Sequence, residues 1–168
     1  GVPKSIPVYV PCGCVKAYKS ASGWNVFKNI QVPLAEYSIS LIINDSNMGT
    51  AKVDKNTACG NQISATANYG YHFVRWSDGN TDNPRSLELT QDTVLTAEFA
   101  PNKYTITTVS SATQRGTTQG DTTVNYLEYI TISATASYGY HFVQWNDGNK
   151  VNPRQVQVTK DMTYTATF

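Results

Sequence analysis

Charge is what this chain has least of. Asp, Glu, Lys and Arg make up 15% of its 168 residues, against roughly 25% in an average soluble protein. Thirteen basic and twelve acidic side chains leave a net charge of +1, with no cluster of Lys and Arg. A protein that binds a phosphate backbone draws its affinity from counterions released by such a cluster, so nucleic acid is not an expected partner. Cysteine is scarce too: Cys12, Cys14 and Cys59 are an odd count, and the Cys12-Gly13-Cys14 spacing is too tight for an easy bridge. No disulfide framework is expected, and residues 103–168 contain no Cys at all. With no second Cys pair and both histidines inside one repeated motif, no metal site and no cofactor are expected either; the thiols read as small buried or incidental groups. Long apolar runs are also missing. Nothing approaches the roughly 20 residues of a membrane span, so no membrane insertion is expected of these residues. The chain opens in mid-pattern without a charged-then-apolar signal region, which leads us to expect that Gly1 is a cloning remnant and that more protein lies upstream.

What the chain has is tyrosine, 11 in all, together with many Thr, Val and Ser, the composition of pleated strands. It also repeats itself. YGYHFVRWSDGN, residues 69–80, returns as YGYHFVQWNDGN at 138–149. Residues 69–99 align with 138–168 at a constant offset of 69, with 18 of 31 positions identical, and Tyr37-Ser-Ile-Ser aligns with Tyr104-Thr-Ile-Thr at an offset of 67. Agreement over that length means that a unit of about 65 residues was duplicated. Each copy offers six strands, placed in the first at 37–44, 49–54, 62–68, 71–77, 85–90 and 94–99. Period-two alternation marks them in Ile63-Ser-Ala-Thr-Ala and in Arg85-Ser-Leu-Glu-Leu-Thr. Asp78-Gly79-Asn80 and Asn83-Pro84, with Asp147-Gly148-Asn149 and Asn152-Pro153, supply the turn chemistry between them. No stretch in either copy has a helical period.

Residues 7–30 differ. PVYVPCGCVKAYKSASGWNVFKNI reads as a short strand, a turn and a helix with Val15, Tyr18 and Ala21 or Ser22 on one face, stopped at Gly23, with Trp24, Phe27 and Ile30 as anchors. About thirty residues with one helix cannot bury a core of their own. Gln31–Glu36 and Ala100–Lys103 read as short joints, so the modules are expected in a semi-fixed line. Charge is uneven: residues 1–36 carry +3, residues 37–99 carry −3 and residues 103–168 carry +1.

Two resemblances follow from these residues. Val10, Pro11, Gly13, Ala17, Tyr18, Lys19, Ala21, Gly23, Trp24, Phe27, Asn29 and Ile30 resemble the closing unit of BspA-like leucine-rich repeat proteins; Cys12 and Cys14 depart from that pattern, which has polar residues there. Gly70-Tyr71-x-Phe73-x-x-Trp76-x-Asp78-Gly79 with Asn83-Pro84 and Thr96-Ala97-x-Phe99, and their second-copy equivalents, resemble divergent internalin B-type repeats, small β units strung in tandem on bacterial surface proteins. The resemblances imply a mainly β chain: a short α/β leucine-rich-repeat cap over 1–33, then two small all-β repeats over 34–100 and 101–168. They also imply an extracellular or cell-surface setting, and adhesion to host or bacterial surface proteins.

The repeated motif holds every candidate for chemistry. His72 and His141 could serve as general bases, but neither copy supplies a repeated Ser or Cys nucleophile, and Asp78 or Asp147 alone makes no site; no catalytic residue is expected. Asp78, Asn80 and Asp82 alternate like the opening of a calcium loop, yet Asp82 becomes Val151 in the second copy, so a tight turn is the better account. Candidate ligand contacts are Tyr71, His72 and Trp76 with Tyr140, His141 and Trp145. Exposed, these would form a platform for a sugar ring, the mark of a carbohydrate-binding accessory module of a secreted polysaccharide-handling protein. Buried, they are the large side chains a small sheet unit needs for its core. The second reading is preferred, with Tyr71, Phe73, Trp76 and Phe99 assigned to one core and Tyr140, Phe142, Trp145 and Phe168 to the other. Strict strand alternation would set Tyr71 and Phe73 on one face and Trp76 on the other unless a bulge intervenes.

Overall fold

The computed structural model describes residues 3–11, 13–32, 37–57 and 60–168. Cys12, Cys59 and residues 33–36 of the first joint lie outside them. Strand content dominates, with one short helix among the described residues. Near the N-terminus β1 (Val8–Tyr9) and β2 (Ile30–Gln31) pair in parallel, and α1 (Val15–Ser20) lies between them in sequence. The helix ends earlier than expected, at Ser20 and before Gly23: Ala21 already returns to extended backbone, so neither Ala21 nor Ser22 lies on its face, and Gly23 instead serves the following turn at φ +83°, a left-handed value that an L side chain resists. Val10 and Ile30 are buried. Trp24 is not the anchor expected of it; it stays 42% exposed, with Tyr18 edge-on at 4.9 Å and Phe27 tilted against it at 6.1 Å.

The first copy folds as six strands at the six expected places: β3 (Ile39–Ile43), β4 (Gly49–Thr57), β5 (Gly60–Ala67), β6 (Tyr71–Trp76), β7 (Arg85–Leu87) and β8 (Thr93–Pro101). They form two three-stranded sheets, β3-β8-β6 and β4-β5-β7. First and last strands pair in parallel, Ile39 opposite Thr93 through Ile43 opposite Ala97, while β4 and β5 make an antiparallel hairpin with a register shift between Val53 and Lys55. The second copy uses β9 (Lys103–Ser110), β10 (Gly116–Gln119), β11 (Thr122–Asn125), β12 (Tyr129–Ala136), β13 (Gln144–Trp145), β14 (Arg154–Gln157) and β15 (Met162–Thr167). Its sheets are β11-β9-β15-β13 and β10-β12-β14, and β9 and β15 are again parallel. Gly120, at φ +127°, separates β10 from β11, so a single strand of the first copy corresponds to two here.

Each core lies between its two sheets. In the first, Ile39, Leu95, Ala97, Phe99 and Trp76 meet Ile63 and Ala65; in the second, Ile106, Ala166, Phe168 and Trp145 meet Ile132, Ala134, Val156 and Val158. Trp76 and Trp145 are both 0% exposed. Phe73 lies 5.3 Å from Trp76 and 5.9 Å from Phe99; Phe142 lies 5.4 Å from Trp145 and 6.3 Å from Phe168. Strict alternation therefore fails: Val74 and Arg75 are both exposed in succession, and that break turns Trp76 inward onto the same core as Phe73. Gly49 and Gly116 give the terminal rings room, since a Cβ at either would run into Phe99 or Phe168.

Two compact units result. One comprises Gly1–Asn68 and Phe73–Phe99, the other Ala100–Phe168 together with Tyr69–His72. Tyr71 thus leaves the first core, to which its sequence position assigned it, for a set of contacts in the second unit.

Candidate functional site

The turn after each tryptophan is built twice from the same parts. Trp76 N–H donates to Asn80 O at 2.8 Å and Gly79 N–H to Trp76 O at 2.8 Å; in the second copy Trp145 donates to Asn149 O and Gly148 to Trp145 O, both at 2.9 Å. Asp78 Oδ1 accepts the Asn80 N–H, and Asn80 Oδ1 accepts the Asp82 N–H; Asp147 and Asn149 do the same for Asn149 and Val151. The third position contributes only backbone, so Val151 serves there as well as Asp82. Each indole N–H is spent on the carbonyl of that third residue, Asp82 at 2.9 Å and Val151 at 3.2 Å.

Beyond the turn, Asn83 and Asn152 act as side-chain strands. The Asn83 carboxamide accepts from Ala65 N–H at 2.9 Å and donates to Ala65 O at 2.7 Å, and Asn152 clamps Ala134 at 2.8 and 2.7 Å. A buried backbone pair that the short neighbouring strand does not reach is satisfied in this way. Arg85 and Arg154 then return to the turn, pairing with Asp78 at 2.7 Å and Asp147 at 2.5 Å. Asp78 has both oxygens engaged, Oδ1 by Arg85 Nη1 and the Asn80 amide and Oδ2 by Arg85 Nη2. The Arg85 hydrogen bond, helped by Asn80, outweighs burial and holds Asp78 below the usual carboxylate range. At Asp147 burial is the largest influence and acts upward, but Arg154 and the Asn149 N–H together outweigh it, and the group is lowered as well. Arg154 is the more enclosed arginine, its guanidinium 5.9 Å from the Trp145 ring and 5.0 Å from that of Tyr164. Its Nε has no hydrogen-bond partner among the described residues; the aromatic faces offset that loss in part.

The tyrosines and histidines of the motif behave differently in the two copies. In the second unit Tyr126 is a hub, edge-on to Tyr71 at 5.3 Å, Tyr69 at 5.8 Å and Tyr104 at 6.2 Å. Asn102 N–H donates to Gly70 O at 2.8 Å, Asn102 O accepts the Tyr126 N–H at 2.8 Å, and the Asn102 carboxamide meets His72 Nδ1 at 2.8 Å. Tyr69 Oη donates to Thr159 O at 3.2 Å. Gly70 is buried, and a Cβ there would enter the Tyr126 ring. Their counterparts stand open: Tyr138 is fully exposed and Tyr140 47% exposed, with Arg115 over its ring at 5.6 Å. A Cβ on Gly139 would meet nothing within 4 Å, and His141 is exposed without a hydrogen bond among the described residues.

Of the six candidate contacts, then, Trp76 and Trp145 are spent inside the cores. Tyr71 and His72 are held by Tyr126 and Asn102, while Tyr140 and His141 face solvent. Sequence reasoning missed Asn83, Asn152, Arg85 and Arg154 as partners; the Asp-to-Arg spacing of seven, identical in both copies, was the available signal.

A two-sheet unit closed by parallel first and last strands, repeated in tandem with its core and turn intact, is a β-repeat module. The chain belongs to the divergent InlB B-repeat domain family, whose description matches residues 39–103 and again 104–168. This is a family of bacterial surface-type repeats. Neither a curated protein nor a solved structure matches the chain. No helix among the described residues is long and apolar enough to cross a membrane.

Proposed function

We propose that this chain is a non-enzymatic, extracellular module of a bacterial surface protein: a stalk and adhesion element working by protein–protein contact. In this reading residues 1–33 end a BspA-like leucine-rich array that carries most of the recognition face, and the repeats over 34–100 and 101–168 serve as spacer and added contact area. The supporting observation is where the side chains are spent. Both tryptophans and the Asp, Asn and Arg of both turns are used up internally, whereas outward positions such as Arg75 and Gln144 diverge. Small units that hold their core constant and vary their surface are suited to spacing and to protein contact.

Partners are host or bacterial surface proteins. Carbohydrate binding is the weaker reading, since Trp76 and Trp145, the tryptophans of the repeats, are buried beyond the reach of a sugar ring; the exposed Tyr138 and Tyr140, with the partly exposed Trp24, are the features in its favour. Isothermal titration against panels of glycans and matrix proteins separates the two. The expected result is protein binding weakened by deleting residues 1–33, with no saturable glycan binding. Glycan binding abolished by Tyr138→Ala or Tyr140→Ala, with the circular dichroism spectrum unchanged, would replace adhesion by carbohydrate recognition.

A further inference from the structure

The four-residue segment Tyr-Gly-Tyr-His occurs twice with one sequence and two fates. At Tyr69–His72 it is an integral part of the second unit, with Gly70 buried under Tyr126 and both Gly70 O and the His72 ring satisfied by Asn102. At residues 138–141 the same groups follow the same glycine turn, Gly139 at φ +81° against Gly70 at φ +85°, but Tyr140 and His141 lie outside a strand, whereas Tyr71 and His72 open β6. There Gly139 O and the His141 ring have no partner among the described residues, and the space above Gly139 is empty.

From this contrast we propose that Tyr138–His141 is a docking surface for a further module of the same family, one that presents an asparagine and an aromatic ring as Asn102 and Tyr126 do. The geometry needed is already in the chain. Asn102 offers a backbone N–H and a carboxamide one residue ahead of β9's start, and the Asn125–Glu128 turn sets Tyr126 beside it. That turn is fixed by Asn125 Nδ2 donating to Glu128 at 2.7 Å and by Leu127, whose φ of +69° is sustained by its N–H bond to Val158 O at 2.7 Å. A left-handed Leu is a strained arrangement, and here it serves to present the ring. A second copy of this chain does not fit the role: its Tyr126 and Asn102 are already engaged by its own Tyr69–His72. The occupant is therefore a module whose corresponding asparagine and ring are free. This assignment of a surface does not depend on the adhesion reading, because it concerns how repeats join and not what they bind.

The test is an extended chain in which a second copy of residues 100–168 follows Phe168. Two readouts apply: hydrogen exchange of the appended counterpart of the Asn102 amide, and nitration of Tyr140 by tetranitromethane. Docking slows that exchange by about tenfold or more, toward the rate of Asn102 itself, as expected for an amide newly hydrogen-bonded in a packed contact; Tyr140 nitration slows in parallel. Replacing the appended counterpart of Tyr126 by Ser restores Tyr140 reactivity. Should that variant misfold, Asn→Ala at the appended counterpart of Asn102 gives the same reading. Unchanged Tyr140 nitration and a freely exchanging amide, in an extended chain with the added module folded by circular dichroism, would overturn the proposal. So would self-association of the unextended chain that protects Tyr140 by sedimentation and nitration, since the occupant would then be a second copy.

Discussion

The two copies of the motif agree at Trp76 and Trp145 and part company four residues earlier. Both tryptophans are fully buried, hydrogen-bonded to the carbonyl of the sixth residue on and packed against a phenylalanine. The preceding Tyr-Gly-Tyr-His is held at Tyr69–His72 by ring contacts and hydrogen bonds around a buried Gly70, and is bare at residues 138–141. The lesson is that one repeated run contains two kinds of constraint. The tryptophan answers to its own fold, so its environment comes with the sequence; the tyrosines answer to whatever is set beside them.

That comparison can be broken most forcefully at the core. Trp76→Ala and Trp145→Ala are expected to cost about 3–5 kcal/mol each, the usual loss for a large buried aromatic, and a large share of the stability of so small a unit. Urea denaturation should place the two within about 1 kcal/mol of one another if the two cores are as alike as the contacts indicate.

The glycines come next and should separate. Gly139→Ala meets only the left-handed backbone, about 1–2 kcal/mol. Gly70→Ala meets the same backbone and the Tyr126 ring, so that about 2–4 kcal/mol is expected from strain and overpacking together. Equal costs in denaturant melts would show that the difference in environment has no energetic weight.

Smaller effects sharpen the comparison at the turns. Asp147→Ala leaves Arg154, 8% exposed, without its carboxylate, whereas Asp78→Ala leaves Arg85 at 16%. Because both aspartates remain more than a third exposed, screening trims the loss to about 1–3 kcal/mol, with the second copy the more sensitive. Thermal melts of the two variants decide the order.

Acid should act through the same groups. The carboxyls of Asp78 and Asp147 are lowered in the folded chain, so the folded state holds fewer protons than the unfolded one wherever those groups are titrating. Their contribution is present above the unfolded carboxylate pKa of roughly 3.9 and disappears as the pH falls through the lower folded values, at most about 1 kcal/mol per site after screening. Asp92 and Asp121, lowered by hydrogen bonds from Ser38 and Thr108 respectively, add in the same direction. Stability measured from pH 6 down to pH 2.5 should therefore decline below about pH 4, and less so in the Asp78→Asn, Asp147→Asn double variant; a steeper decline in that variant would contradict the assignment.

How much of this was legible can be followed residue by residue. Strand positions were readable because alternation in Ile63–Ala67 and the Asp-Gly-Asn and Asn-Pro breaks are local signals, and the inward tryptophan followed from the need of a small unit for large apolar groups. The clamp of Asn83 on Ala65 was not readable, since it joins residues 18 apart through a pairing that only the folded sheets create. Phe73 and Trp76 on one core was likewise a matter of the break at Val74 and Arg75, which no period-two rule contains.

By itself, then, the sequence determined the duplication, the strand and turn order, and the small set of rings that had to be buried, because each of these depends on composition and spacing within one unit. Only the tertiary structure decided that Asp and Arg close each turn as a pair, and that Tyr69–His72 pack in the second unit under Tyr126 while residues 138–141 stand free. Identical local sequences have identical propensities, and what distinguishes them is the atoms brought near by the rest of the chain.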